Sequence, residues 1–251
     1  MIEVPCLHRL SPVGEEDFAP IQRSLGLAPN VDLITARLRE LNQRVQIDGG
    51  DKKSHYVTFD DGWTDVILLE KSFEEHSYLQ PILFLTNQQL LGQQGLLPLH
   101  RLYEHCRQED CTLEDMHQLG VERAKLKKTS EIEQHKLLDD VGISRYAHHQ
   151  EVLSLEQIRD LQEKGWLIGS HGGDHHNMLD DGSSILEKQL SESFQIIKEF
   201  SGLLWFAWPE GACDERLYQI AKKIGFTKQF TLRSETTSEI RDRVICRKIW
   251  R

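Results

Sequence analysis

The sequence predicts a parallel α/β architecture, either a barrel or an open sheet. Two observations carry this. Short apolar, strand-like runs alternate along the chain with amphipathic helical stretches, the pattern of strands joined by crossover helices. The two runs richest in metal-ligating side chains are Thr58-Phe59-Asp60-Asp61-Gly62 and His171-Gly172-Gly173-Asp174-His175, and each follows such an apolar run. Both are therefore expected at the carboxyl ends of strands, where active sites of these folds sit.

The elements follow in order. Ile2 to Leu7 predicts a first strand. Asn30 can cap a helix through about Asn42, with Leu33, Ile34, Leu38 and Leu41 on one face. Tyr56 to Phe59 is a strand ending at the Asp pair, followed by a helix from Trp63 to about Glu75. Pro81 to Leu85 is the next strand. Ser154 and Gln157 have the spacing of a capping box, and the helix they open stops at Gly165. Trp166 to Ser170 is a strand with His171 at its end. A helix runs from about Ser183 to Phe200 and is ended by Gly202. Leu203 to Ala207 is a strand leading into the turn Trp208-Pro209-Glu210-Gly211. Asp214 opens a helix through Ile224, stopped by Gly225, and Val244 to Ile249 closes the chain as a strand. Residues of about 96–150 break the rhythm: they are polar, helical and rich in charge, with Glu122 to Lys128 in the middle. This stretch reads as a helical insert with a solvated surface rather than a binding patch. Residues 1–251 are expected to form one domain around it.

Bulk properties exclude several classes. A formal net charge of -10 argues against nucleic acid or an anionic membrane as main partner, and mildly against a polyanionic substrate. No apolar run approaches the roughly 20 residues that span a bilayer. The opening residues Met1 to His8 have neither a basic segment nor a long apolar core, so the expected location is the cytoplasm. Cys6, Cys106, Cys111, Cys213 and Cys246 are odd in number and scattered, which does not suggest a disulfide framework. Nothing in the sequence sets the oligomeric state.

One carboxylate and two imidazoles make a three-ligand site for a divalent metal with a position left open. A second carboxylate beside it is free to act as a base on water. Asp-Asp-Gly is also ordinary turn chemistry. The apolar strand before it and the His run elsewhere favour function. Asp174, His148 and His149 read as surface residues. Trp63, Trp166, Trp205 and Trp208 read as core or cleft wall.

These residues resemble the polysaccharide deacetylases with the NodB homology domain, carbohydrate esterase family 4. Thr58 to Gly62 matches that family's first motif unchanged. His171 to His175 matches its His-x-x-x-His motif, with Gly172 for the usual Ser or Thr and His176 for the usual Pro. Phe206-Ala207-Trp208-Pro209-Glu210-Gly211 resembles the subgroup motif Phe-Ala-Tyr-Pro-Tyr-Gly, with Glu210 as a departure. Cys6-Leu7-His8-Arg9 resembles the Met-Tyr-His-Arg of the same subgroup. The resemblance implies a distorted (β/α)7 barrel with a helical insert. It implies metal binding by Asp61, His171 and His175, with His176 kept as an alternate, and Asp60 as catalytic base. It implies an oxyanion contact from the Glu210 backbone N–H. Other family members place an Arg near Ala207 to orient the base; Ala207 cannot do that, and the Phe-Ala-Tyr-Pro form lacks the Arg too. The family's late general-acid motif is also absent; the Met-Tyr-His-Arg resemblance implies that His8 lies at the active site, to protonate the leaving amine or to touch the metal-bound water.

The implied activity is that of a hydrolase on a carbon–nitrogen bond: metal-dependent removal of an N-acetyl group from a sugar. Zn²⁺ suits the Asp-His-His set best, with Co²⁺ or Ni²⁺ similar. A cytoplasmic location points to an intermediate of surface-polysaccharide or O-antigen synthesis, either a nucleotide sugar or a lipid-linked saccharide. Two alternatives stand beside it: a catalytically impaired saccharide-binding relative, and an amidohydrolase acting on a small non-sugar amide.

Overall fold

The structure is a computed structural model that describes residues 3–12, 21, 25–93, 96–126, 129, 131–144, 152–173 and 175–251. Ile2, Asp174, His148, His149, Lys127 and Lys128 lie outside the described residues. Seven strands pair in parallel and close into a barrel in sequence order: β1 Val4–Leu7, β2 His55–Asp60, β3 Leu79–Leu85, β4 Leu167–Ser170, β5 Trp205–Ala207, β6 Lys228–Leu232 and β7 Ile245–Ile249. β1 closes the ring by pairing with both β2 and β7.

Ten α-helices lie among the described residues: α1 Val31–Ile47, α2 Glu70–Glu75, α3 Asn87–Leu90, α4 Pro98–Gln108, α5 Leu113–Gln118, α6 Arg123–Leu126, α7 Glu131–Asp140, α8 Leu155–Glu163, α9 Ser183–Phe200 and α10 Glu215–Ile224. The caps read from the sequence are present. Asn30 accepts from the Asp32 and Leu33 amides, Ser154 and Gln157 form their capping box, and Asp214 accepts from the Leu217 amide; each satisfies donors that a helix start leaves open. α1 runs longer than expected, and its buried face is Ile34, Leu38, Leu41 and Val45. Leu33 is exposed instead. The helix expected from Trp63 divides into a 3₁₀ turn over Thr64–Leu69 and the short α2.

β6 has no counterpart in the sequence reading. Its residues Lys228-Gln229-Phe230-Thr231-Leu232 carry one aromatic between polar neighbours and form no apolar run. Buried Gln229 is satisfied in place: it accepts from the Trp208 indole and donates to the Tyr218 carbonyl.

Alternation along the strands separates two layers. Ile82, Phe84, Ala207 and Phe230 pack together in the barrel with Tyr56, Leu167, Trp205 and Ile245. Val57, Phe59, Leu83, Leu85 and Ile168 pack against the helices. Phe59 meets the Phe73 and Trp166 rings at 5.8 and 5.2 Å. Asp60 has the parity of Tyr56 and Thr58, and Arg247 that of Ile245. Both therefore belong to the inner layer at the carboxyl end.

The long connection between β3 and β4 holds α3 to α8. Within it α4, α5, α6 and α7 build their own apolar cluster around Leu102, Cys106, Met116, Leu126 and Leu138. No helix of the described residues is long and apolar enough to cross a membrane.

Candidate active site

The turn after β2 explains the order Asp-Asp-Gly. Asp60 is the last strand residue. Asp61 then takes φ 69° and Gly62 φ 64°, which reverses the chain and turns the second carboxylate back toward the barrel mouth. A Cβ at Gly62 would lie 2.6 Å from the ends of the Leu85 and Gln89 side chains, and its positive φ also favours glycine. Gln89 locks the turn by donating its amide to the Asp61 carbonyl at 2.5 Å. Gly172 has φ 84°, a conformation that the family's usual Ser or Thr would strain. Among described non-glycine residues φ is positive at Lys53, Asp61, Asp110, His175 and Glu210. Three of these five are residues singled out from the sequence. Left-handed backbone at non-glycine residues concentrates where a surrounding structure imposes it, often at functional sites.

The ligating atoms of Asp61, His171 and His175 all lie within 4.8 Å of one another. Asp61 Oδ1 is 3.1 Å from His175 Nε2 and 3.6 Å from His171 Nε2. His171 donates from Nδ1 to the Ala207 carbonyl at 2.8 Å, which fixes the tautomer and leaves Nε2 bare. His171 Nε2 is buried without a hydrogen-bond partner, and Asp61 Oδ1 has only its ion pair with His175. Orphaned buried acceptors are costly, and a divalent cation would satisfy both; the residues present fit the group. Burial pushes the His171 imidazole down to about 4 despite Asp60, which keeps it neutral as a ligand must be. For His175 burial acts downward, but the Asp61 carboxylate overrides it and lifts the imidazole to about 9, a proton that a bound cation would displace. Burial acts upward on Asp61, yet His175 and His100 hold it well below the usual carboxylate range. His176 Nε2 instead pairs with Asp181 at 2.7 Å, away from this cluster.

Asp60 is held differently. Arg247 Nη1 donates to its Oδ1 at 2.6 Å, and Cys6 Sγ to its Oδ2 at 3.4 Å. Burial raises the Asp60 pKa, but Arg247, His171 and His8 together bring it below the ordinary value. Burial pushes the Cys6 thiol far up, so it stays protonated. His8 lines the same cavity, and its Nδ1 is buried without a partner. Glu210 sits there too, in a 3₁₀ turn over Pro209–Gly211 with φ 55° and ψ 4°. Trp208 is fully buried and does not line the cavity.

Sequence reasoning missed two site residues. Arg247 occupies the role for which the sequence offered no arginine: it reaches the base from β7, on the opposite side of β1 from β2. The signal was present, since an arginine alternating with Ile245 and Ile249 shares their inner face. His100 comes from α4 and places Nε2 3.4 Å from Asp61 Oδ2, with its ring 3.9 Å from that of Trp63. The expectation of a merely solvated insert is corrected by this contact. Tyr103, Arg123 and Gln134 from the same segment also line the cavity. Short helices show little periodicity, and their packing over the barrel mouth is set by tertiary contacts.

Residues 129–228 match the family model described as polysaccharide deacetylase. No curated protein sequence matches the chain. Among solved structures, the Streptococcus pyogenes deacetylase PplD in complex with acetate superposes with a TM-score of 0.53 at 13% identity, covering 92% of this chain and 84% of that one. IcaB from Ammonifex degensii gives 0.51 at 18% identity, with coverages of 93% and 84%. A de-N-acetylase from Aggregatibacter actinomycetemcomitans gives 0.53 at 14% identity, with 98% and 94%. At these identities the likeness is one of fold. The chain is thus similar to the polysaccharide deacetylases in sequence over residues 129–228 and in the architecture of its closed seven-stranded barrel.

Proposed function

We propose that this protein is a metal-dependent hydrolase that removes the acetyl group from an N-acetylated sugar. One observation carries the reading: the buried, partnerless His171 Nε2 meets the Asp61–His175 pair beside an arginine-held carboxylate at the carboxyl end of the barrel. A divalent cation held by Asp61, His171 and His175 would supply Lewis acidity toward water and an amide carbonyl; zinc suits the donors, and cobalt or nickel similarly.

The chain's own residues supply the rest. Asp60 is ionised at neutral pH and takes a proton from the attacking water. The water oxygen bonds to the acyl carbon, and the carbon–nitrogen bond breaks. The Glu210 backbone N–H would donate to the developing oxyanion. His8 gives a proton to the departing nitrogen, so that acetate and a free amino sugar leave. Arg247 orients Asp60 and keeps it charged.

We extend the reading to a cytoplasmic nucleotide- or lipid-linked sugar of surface-polysaccharide or O-antigen synthesis. The cavity above the site measures about 280 Å³, at the small end of ligand pockets, which supports a single sugar unit. Glu210 favours a second reading, an impaired saccharide-binding relative, because its carboxylate shares the cavity with the proposed oxyanion contact. Elemental analysis with an acetate-release assay on N-acetylated sugars separates these readings. One equivalent of metal, lost in Asp61→Ala together with acetate release, supports hydrolysis. A metal-loaded wild type that binds sugars and releases no acetate supports the second reading.

A further inference from the structure

The segment between β3 and β4 does more than reach Asp61 through His100. The cavity that Asp60, Asp61 and His175 line from the barrel is lined from this segment by Tyr103 and Arg123. Arg123 stands at the start of α6. Its Nε donates to the Tyr103 hydroxyl at 2.5 Å, and its guanidinium carbon lies 6.0 Å from the Tyr103 ring centre. Among the described residues no carboxylate pairs with Arg123, and its two Nη groups have no protein acceptor. Of the other charges that line the cavity, Asp60 pairs with Arg247, Asp61 with His175, and Arg9 with Asp65; Glu210 lines it as well. A half-buried guanidinium, anchored by Nε and open at both Nη groups, is a fork for a carboxylate or phosphate. The chain's net charge of -10 repels anions in general, so an anionic ligand would need such a local donor.

We propose that Arg123 makes this cavity a pocket for one N-acylated sugar carrying an anionic group, a phosphate or a carboxylate. The acyl half of the statement rests on the deacetylase reading. The anion half does not. A charge-assisted bidentate contact in a small cavity corresponds to a preference of about tenfold to a hundredfold.

The test is calorimetric binding to the zinc-loaded Asp60→Asn chain, which does not consume its ligand. The probes are N-acetylglucosamine and N-acetylgalactosamine, their 1-phosphates, and their uronic acids. At least one anionic probe should bind about 10- to 100-fold tighter than its neutral parent, and the phosphate and uronate arms identify which anion is read. Arg123→Gln should erase the difference, and Arg123→Lys should keep part of it. Equal binding of neutral and anionic probes overturns the proposal, as does a preference that survives Arg123→Gln. Should Arg123→Gln not fold, an undiminished preference in Arg123→Lys overturns it. An Arg123-dependent preference in a wild-type chain that releases no acetate from any probe would defeat the deacetylase reading alone.

Discussion

Replacing Arg247 by methionine tests how the proposed base is held. The side chain is fully buried, and its guanidinium meets the Asp60 carboxylate, itself 2% exposed, at 2.6 Å. Methionine fills similar space and removes the charge. Asp60 would then keep only the weak Cys6 thiol and the nearby His171 and His8 against the cost of burial. Removing one member of a buried ion pair costs about 3–5 kcal/mol. At about 2–4 °C per kcal/mol for a chain of this size, the melting temperature should fall by roughly 6–20 °C. The pH dependence should invert. In the wild type Asp60 has a lowered pKa. Its contribution is therefore present above the unfolded carboxylate value and lost as pH falls through the folded one. Without Arg247 burial dominates and raises the pKa, so Arg247→Met should gain stability on acidification from neutral pH. Thermal melts of both proteins at several pH values between 4 and 7 read this directly, and the acid limb of kcat/KM should move up in parallel. A loss below about 1 kcal/mol, or melting curves with the same pH slope, would refute the argument that Arg247 holds Asp60 charged.

Two further substitutions probe residues around the same cavity. His8→Ala should lower turnover by about 10²–10⁴-fold, the usual contribution of a proton donor, with metal content unchanged; a drop of less than a few-fold would make His8 structural. His100→Phe keeps the stack on Trp63 but removes the contact to Asp61 Oδ2. It should weaken metal affinity by about 10- to 100-fold in a chelator-competition titration, and unchanged affinity would detach His100 from the site.

Much of the fold was legible because local and tertiary signals agree. Asn30, Ser154 and Asp214 cap helices where their side-chain oxygens are needed. The bounds of α9 and α10 coincide with their caps and glycines, since nothing tertiary overrides them. β6 was hidden because buried Gln229 and Thr231 look like surface residues until Trp208 and Tyr218 are placed around the first and Thr236 and Cys246 around the second. The Asp pair and the two histidines could be read from spacing and strand context. Arg247 could not be matched to Asp60 without the closure of β7 on β1, which brings residues 187 positions apart into contact. His100 lay beyond reach for a similar reason: its helix belongs to an apolar cluster of its own, and only that cluster's seat over the barrel mouth brings it to Asp61.

The central claim is that Asp60 acts as a base beside a cation held by Asp61, His171 and His175. The most direct measurement compares acetate release by wild type and Asp60→Asn on one N-acetylated sugar, with metal content determined in the same samples. The amide keeps hydrogen bonding and cannot take a proton at neutral pH. The account predicts one bound metal in both proteins and a fall in turnover of at least about 10²-fold in Asp60→Asn. Wild-type acetate release from metal-loaded Asp60→Asn would contradict it.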